Sequence, residues 1–266
     1  MTMGRPNAST LRAELAAAAK CTAAGTNPGT RIDRIGVVVP ANNEQCALPA
    51  CLDGLQAAAR RVRVPVTVIV VLDSCTDLSA AVVDAARQSE GMSVQAITVD
   101  ARNVGFARRA GMTELLRLGP GPGTWLATTD ADSVVPDRWF AAQLNHADAG
   151  ARVVAGTVAV TDWQDRSDGV RERAVSDYLA TPHRHIHGAN LSFAAIAYQA
   201  AGGFRPIPSS EDVALVDAFR RNDEPIAWAL DLAVRTSARR QARAPRGFAG
   251  YLSSLEGALD EVRGGR

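Results

Sequence analysis

Short runs of consecutive apolar residues alternate with helical segments through the first half of this chain. The runs are rich in β-branched residues and lack polar alternation, which is typical of strands that are buried on both faces. They predict strands at residues 35–40, 66–73, 94–99 and 125–129. Predicted helices separate them at residues 48–61, 78–88 and 104–118. Crossovers of this length join parallel strands through right-handed connections, so the sequence predicts an α/β fold with a mainly parallel central sheet flanked by helices.

Polar residues follow each of these predicted strands. They are Asn42 and Glu44, Asp73, Asn103, and the pair Asp130 and Asp132. Ligands of open α/β sheets collect at the carboxyl ends of the strands, so we expect these side chains to meet at one edge. The closely spaced acids Asp130 and Asp132 suit a hard divalent cation, which takes oxygen ligands. The alternative is an ordinary turn at a strand end, where Asp is also favoured.

The second half of the chain is less regular, and neither a repeat nor a linker interrupts residues 31–255. Strands are predicted at 152–160, 190–194 and 226–234, and helices at 137–146, 167–179, 196–201, from 209 onward and at 248–262. We therefore predict one domain over residues 31–255, with a nucleotide-binding half (31–133) and an acceptor half (134–255). Residues 1–30 are expected to be a disordered or loosely helical tail, and residues 256–266 a second tail.

Composition excludes some partners. The 29 basic and 28 acidic side chains leave a net charge of +1, which argues against nucleic acid or an anionic membrane as a partner. The 4 cysteines show no C-x-x-C spacing, so we expect free thiols in a reducing cytosol. No apolar run approaches the roughly 20 residues that a membrane-spanning helix needs. These features predict a soluble, cytoplasmic protein, and they leave its oligomeric state open.

Taken in order, the motifs resemble glycosyltransferase family 2, whose members have the GT-A fold and use nucleotide-sugar donors. The resemblance covers roughly residues 34–250. It is carried by VVVPANNE (37–44), DSCTD (73–77), NVGFARRAG (103–111), DAD (130–132), HGAN (187–190), GGF (202–204) and ED (211–212). Each motif is weak by itself, whereas the ordered set is specific.

The resemblance implies a nucleotide site on the first half of the chain. Pro40, Asn42 and Glu44 would line the base and ribose pocket, and Asp73 would accept a hydrogen bond from the base, which for uracil is the ring N–H. The alternative for Asp73 is a helix N-cap. The remaining candidates in this half are Asn103 and Gly105 for close backbone approach to ribose or phosphate, Arg108 for phosphate, and Asp130 for ribose. Their alternatives are ordinary loop chemistry and a solvated helix face.

The resemblance also implies a metal site for Mg²⁺ or Mn²⁺. Asp132 would be the most direct ligand, with Asp130 contacting the metal or its bound water. His183, His185 and His187 are spaced by two, which places them on one side of an extended segment. His187 is a candidate third ligand, since the strand where related enzymes carry a metal-binding His (234–239) contains none.

Four residues are candidate contacts to the acceptor or to phosphate. They are His185, Asn190, Arg239 and Arg240. For the two arginines the alternative is a solvated basic loop.

The pair Glu211 and Asp212 would supply the catalytic carboxylates. By the resemblance, Asp212 is the general base that deprotonates the acceptor hydroxyl for inverting attack. The alternative is a capping box, because Ser209 and Asp212 stand three residues apart at a predicted helix start.

The sequence lacks the Gln-x-x-Arg-Trp motif of processive membrane synthases. We therefore expect a metal-dependent enzyme that moves one sugar, from a UDP-linked donor, to a small or soluble acceptor hydroxyl. Two alternatives stay open: a retaining GT-A transferase acting on a glycerate-like anion, and a nucleotide-sugar binding module without catalysis.

Overall fold

The predicted strand and helix alternation is present in the computed structural model, which describes residues 31–87, 91–119, 121–163, 166–180, 185–237 and 254–256. The strands are β1 (Arg34–Ala41), β2 (Val66–Asp73), β3 (Met92–Val99), β4 (Thr124–Thr128), β5 (Ser133–Val134), β6 (Val153–Asp162), β7 (Leu191–Ala194) and β8 (Ile226–Ser237). The helices are α1 (Leu48–Ala59), α2 (Ser79–Ala86), α3 (Val104–Leu118), α4 (Trp139–Asp148), α5 (Asp168–Ala180), α6 (Ala195–Ala200) and α7 (Glu211–Arg221).

The described strands form one sheet in the order β3-β2-β1-β4-β7-β6-β8-β5. Strands β3, β2, β1 and β4 are parallel to one another, as the crossovers predict. Strand β7 runs antiparallel to both β4 and β6, β8 is parallel to β6, and β5 is antiparallel to β8. The predicted fold class, a mainly parallel sheet flanked by helices, is confirmed.

Two hydrophobic cores lie on opposite faces of the sheet because consecutive strand residues point in opposite directions. In β1, Val37 and Val39 belong to the core on one side, together with Leu52 and Leu55 of α1. Val38 belongs to the other core, with Met112 of α3. Burial on both faces explains why these strands read as continuous apolar runs.

Some predicted boundaries are wrong. Strand β5 was not predicted, and α4 begins at Trp139 rather than at residue 137. The alternative interpretation of Ser209 and Asp212 as a capping box is also wrong, because the residue before α7 is Ser210, in the left-handed region at φ 62°, and it makes no side-chain capping bond. The described residues from 31 onward belong to one compact unit. Residues 1–30 and most of the predicted C-terminal helix lie outside the described part of the chain.

Candidate active site

The turns that follow β1 and β2 are tied together by side chains. Asn42 Nδ2 donates to the backbone oxygen of Asp73 at 2.7 Å, and the N–H of Thr76 donates to Asn43 Oδ1 at 2.8 Å. The buried Glu44 is anchored through its backbone N–H, which donates to Ser79 Oγ at 2.9 Å. These bonds give the predicted nucleotide-side residues a defined backbone at the carboxyl edge of the sheet, next to the half-buried Pro40 at the end of β1.

Asp73 organises the loop between β3 and α3. Its Oδ1 accepts from the N–H groups of Ala101 and Arg102 at 2.8 Å each, and its Oδ2 accepts from Asn103 N–H at 2.9 Å. Burial opposes ionisation of Asp73, but these N–H donors and the Ser74 hydroxyl outweigh it, and the pKa of Asp73 is lowered. The predicted alternative role, an N-cap of α2, is wrong because the carboxylate binds a different loop. Oδ2 retains a second acceptor direction.

Gly105 allows a close backbone contact, but the chain itself makes that contact. A Cβ at this position would collide with the carbonyl oxygens of Arg205 and Ile207, and Gly105 N–H donates to Ile207 O at 3.2 Å. Asn103 caps α3 by accepting from Phe106 N–H at 2.9 Å, and its Nδ2 donates to Pro206 O at 3.1 Å. The expectation that ribose or phosphate approaches the backbone at Gly105 is therefore corrected: residues 205–207 occupy that place.

Loop residues around this edge adopt backbone conformations that L-residues seldom use. Positive φ values occur at Asn43 (55°), Ser74 (54°), Arg102 (47°) and Ser210 (62°). Such conformations cost free energy and persist where the surrounding contacts enforce them, commonly at functional sites. Their concentration in loops that carry the predicted residues agrees with a site at this edge.

A buried arginine lies at the centre of the candidate site. Arg108 of α3 has a side chain that is 4% exposed and an Nε that donates to Thr128 Oγ1 at 3.2 Å. Its Nη2 donates to Asp130 Oδ1 at 2.5 Å, and its Nη1 pairs with Glu211 Oε1. The expected phosphate contact of Arg108 is corrected, because the buried guanidinium directs each of its three nitrogens to a carboxylate or hydroxyl of the same chain.

The same contacts change the expected role of Glu211. Its side chain is 4% exposed and its carboxylate faces Arg108. A carboxylate that is buried in an ion pair cannot serve as a base for a substrate without leaving that pair. The structure thus separates Glu211 from Asp212, although the two are adjacent in sequence.

The central position of Arg108 was missed, although the sequence contained a signal. Arg108 falls on the buried face of α3, three residues after Gly105 and four before Met112. Arg109 falls on the exposed side of the helix and donates to the carbonyl oxygens of Gly202 and Phe204. A charged residue within an apolar helical stripe indicates a buried partner of opposite charge.

The acid pair lies beside a buried thiol. Cys51 Sγ donates to the backbone oxygen of Asp130 at 3.4 Å, which anchors the turn after β4 to α1. Burial is the largest cause of the raised pKa of Cys51, and the carboxylates of Asp130, Asp132 and Glu44 raise this pKa further. The side chain of Asp130 remains 38% exposed.

The two acids fit a hard cation in part. Asp130 Oδ2 makes no hydrogen bond to the described residues, so it can offer an oxygen ligand, and the half-buried Asp132 stands two residues further along the chain. Mg²⁺ is commonly held by one or two carboxylates, with the remaining positions filled by substrate phosphate and water. Within the described ranges, no group of three or more His, Cys, Asp or Glu side chains is assembled as a metal site.

Among the described residues no such group joins His187 to the acid pair, and the expected third-ligand role of His187 stays a prediction. Its ring stacks on that of His185, with centroids 6.1 Å apart, and its carbonyl accepts from Asn190 N–H at 2.9 Å. The stacked rings of His185 and His187 agree with the prediction that alternate residues of an extended segment lie on the same side. His183 lies outside the described residues.

Asp212 is held differently from its neighbour. It is half-buried, its Oδ2 accepts from Gly188 N–H at 2.7 Å, and its Oδ1 accepts from Val213 N–H at 2.8 Å. Gly188 also covers Arg108, since a Cβ at residue 188 would collide with the guanidinium. The site thus places a metal-type acid pair and a separate, partly accessible carboxylate around one buried cation.

Asn190 is not available to an acceptor. It is buried, its Nδ2 donates to the carbonyl oxygens of Thr157 and Leu232 at 2.8 Å each, and its Oδ1 accepts from Trp139 Nε1 at 2.8 Å. The expected acceptor contact is corrected to a structural role, because every strong hydrogen-bonding direction is directed into the protein. Arg239 and Arg240 lie outside the described residues.

Comparison with known families supports the motif order. The family model described as "Glycosyl transferase family 2" matches residues 36–204, which is more than half of the chain. The chain belongs to this family. The matched range contains the β1, β2 and α3 motifs and the acid pair, so the predicted family membership is confirmed.

Curated relatives of this family 2 chain share part of its sequence. It is 34% identical over 129 residues to an undecaprenyl-phosphate 4-deoxy-4-formamido-L-arabinose transferase of Serratia proteamaculans, which covers 48% of this chain and 37% of that protein. A transferase of the same name from Klebsiella pneumoniae is 30% identical over 150 residues, which cover 42% of that protein's length. The chain thus spans less than half the length of these relatives.

Solved structures show the GT-A fold. The mannosyltransferase PcManGT of Pyrobaculum calidifontis, in complex with GDP-Man and Mn²⁺, has a TM-score of 0.60 at 17% identity, covering 92% of this chain and 68% of that one. TarS of S. aureus, in complex with UDP-GlcNAc, has a TM-score of 0.59 at 12% identity, covering 81% and 61%. The predicted GT-A fold is confirmed. None of the described helices has the length and apolar character that crossing a membrane requires.

Proposed function

We propose that this family 2 member is a metal-dependent, inverting glycosyltransferase that moves one sugar from a UDP-linked donor to an acceptor hydroxyl. The observation that carries the proposal is the arrangement around Arg108: its guanidinium bonds to Asp130, and it lies against Gly188, whose N–H donates to the half-buried Asp212. An acid pair for a metal and a separate, partly accessible carboxylate match the two needs of the reaction.

On the donor side, Asp132 and the second oxygen of Asp130 would hold Mn²⁺ or Mg²⁺. The cation would neutralise charge that develops on the leaving nucleoside diphosphate. The ordered turns at Asn42 and Asp73 would receive the nucleoside, because their backbone is fixed before a ligand arrives. Such preorganisation lowers the ordering cost of binding.

On the acceptor side, Asp212 would accept the proton of the attacking hydroxyl. Its backbone donors, Gly188 N–H and Val213 N–H, fix the orientation of the carboxylate, and it remains partly exposed. Glu211 is excluded from this role by its ion pair with Arg108. One base and direct displacement give inversion at the anomeric carbon.

Substitution of Asp212 by Asn tests the proposal. We expect kcat for sugar transfer to fall about 10²- to 10⁴-fold, the usual contribution of a general base, while the KM for the donor changes little. Release of UDP in the presence of Mn²⁺ and a panel of hydroxyl acceptors measures this, and NMR of the product gives its anomeric configuration. Asp217→Asn is the matched control, because Asp217 lies on the same helix and pairs with Arg220 at the surface. Retention of configuration would instead favour the retaining transferase, and absence of turnover a binding module.

A polyprenyl phosphate is a second candidate acceptor, which the names of the curated relatives support. A phosphate is already anionic at neutral pH, so it attacks without a general base. Asp212→Asn should then leave transfer to undecaprenyl phosphate nearly unchanged, while it abolishes transfer to a hydroxyl. Comparing the two acceptors with this one variant decides between them.

A further inference from the structure

We infer that Arg108 is a positioning residue that couples the donor-side acid Asp130 to the acceptor-side base Asp212. The inference rests on the proposed function and adds a role that the predicted phosphate contact did not contain. Arg108 touches neither sugar nor nucleotide in this scheme. It acts through the residues that it holds.

The guanidinium of Arg108 contacts residues from separate parts of the chain. Its nitrogens bond to Thr128 at the end of β4, to Asp130 in the following turn, and to Glu211 at the start of α7. Its remaining face lies over the ring of Phe204, with Cζ 5.9 Å from the ring centroid. One side chain therefore spans the parallel half of the sheet, the acid pair and the helix that carries Asp212.

Gly188 lies against the guanidinium of Arg108 and connects it to Asp212. Gly188 packs so closely on Arg108 that no side chain fits there, and its N–H donates to Asp212 Oδ2 at 2.7 Å. Asp212 is thus fixed relative to Arg108 by two routes: through its neighbour Glu211 and through Gly188. A shift of the guanidinium must therefore move Glu211 or Gly188.

The guanidinium of Arg108 also brings a positive charge to the site. A guanidinium cannot be deprotonated in a protein, so it is a permanent positive charge between two carboxylates. It compensates the buried Glu211, which would otherwise be an unpaired buried charge. It also opposes a second cation at Asp130, so it weakens metal affinity while it fixes the acid in place.

A pair of variants separates positioning from simple stabilisation. Arg108→Met alone leaves Glu211 unpaired and is expected to lower the free energy of unfolding strongly. The double variant Arg108→Met, Glu211→Gln removes both charges, so we expect its urea-unfolding midpoint to return close to the wild-type value. We expect its kcat to stay about 10- to 100-fold below wild type, since misplacement of a reacting group by about 1 Å has effects of this size. The KM for the donor should change less.

The controls are chosen from the same helix and the same position. Arg109→Met removes the neighbouring exposed arginine, and we expect its kcat to remain within about twofold of wild type, as for surface substitutions generally. Arg108→Lys keeps the charge, but its ammonium is a compact point charge without the planar fork that reaches Thr128, Asp130 and Glu211, so it should not restore full kcat. Recovery of wild-type kcat by either the double variant or Arg108→Lys would overturn the inference.

A binding measurement tests the inference without turnover. Mn²⁺ alone should bind the double variant about threefold or more tightly than it binds Glu211→Gln, because the double variant lacks the positive guanidinium beside Asp130. Mn²⁺ electron paramagnetic resonance measures the free ion directly. Equal affinity of the two variants for Mn²⁺ would overturn the inference. If their affinities differ but the wild-type protein transfers no sugar, the result counts against the proposed function alone.

Discussion

At the scale of single residues, the carboxylates of the sheet edge divide into those that hold the chain and those that face the site. Asp73 and Glu211 are held by partners within the protein: backbone N–H groups in the first case and a guanidinium in the second. Asp130, Asp132 and Asp212 keep partial exposure. Residue type alone does not distinguish these groups, because all of them are acids that follow a strand or begin a helix.

Asp73→Asn should destabilise the protein. The substitution removes the charge that accepts N–H groups from Ala101, Arg102 and Asn103, and we expect a loss of about 2–3 kcal/mol in the free energy of unfolding, typical of hydrogen bonds to a charged group. Urea unfolding at pH 7 measures it. Asp53→Asn, an exposed acid on α1, is the control.

The pH dependence of this difference follows from the lowered pKa of Asp73. A depressed pKa in the folded state contributes stability above the unfolded-state pKa of about 3.9, and the contribution is lost as the pH falls through the folded-state value. The difference between wild type and Asp73→Asn should therefore be constant from pH 7 to about 5 and shrink below pH about 4. A difference that grows on acidification would contradict the role of the ionised carboxylate.

Sequence reasoning reached the correct edge of the sheet but not the partners within it. The order of strands and polar residues placed Asp73, Asn103 and the acid pair together, because parallel crossovers leave few topologies. The ion pair between Arg108 and Glu211 joins residues 103 positions apart in the chain. Local patterns carry no record of such a pairing, so both residues were assigned to ligand chemistry.

At the scale of secondary structure elements, the reliable predictions were those with strong periodicity and local boundaries. Strand β2 and helix α3 have the predicted bounds, Val66–Asp73 and Val104–Leu118. Strand β5 has two residues, and its pairing of Ser133 with Thr236 depends on a distant part of the chain. A segment this short has no period from which it could be predicted.

Asn190 links the turn before β7 to three other elements, α4, β6 and β8, and its loss should be costly. Asn190→Ala leaves two carbonyl oxygens and the Trp139 indole N–H unpaired in the interior, so we expect a loss of about 3–5 kcal/mol in the free energy of unfolding. Urea unfolding followed by tryptophan fluorescence measures it. Asn222→Ala, at the exposed end of α7, should cost about 0.5 kcal/mol or less. Full stability with lost transfer activity would restore the acceptor role that sequence reasoning gave to Asn190.

At the scale of the whole molecule, the sheet has a parallel part that the first half of the chain builds and a mixed part that the second half builds. The parallel part carries the nucleotide-side turns, and the mixed part carries Asp212 and the 185–190 segment. Crossovers between adjacent parallel strands are constrained by geometry, whereas the second part depends on long-range pairing. This difference explains why the acceptor half was the less predictable one.

Ligand-dependent stability should reveal the donor. UDP at 100 times its Kd in the presence of Mn²⁺ should add about 2.7 kcal/mol of stability, which corresponds to a rise of about 5–10 °C in Tm for a domain of this size. Removing the metal with EDTA should abolish most of the rise, and Asp132→Asn should do the same. A rise with GDP and none with UDP would contradict the proposed donor nucleotide, and a rise that is insensitive to EDTA would contradict metal dependence.

The contact between Gly188 and Arg108 also limits how the acceptor specificity of this protein can be engineered. The segment 185–190 lies beside Asp212, so a combinatorial library would naturally randomise it. Positions 185–187 can be varied in such a library, but every codon other than glycine at position 188 drives a side chain into the guanidinium. A variant at that position must displace the buried guanidinium from its bonds to Asp130 and Glu211, so it should fold less stably than the parent protein.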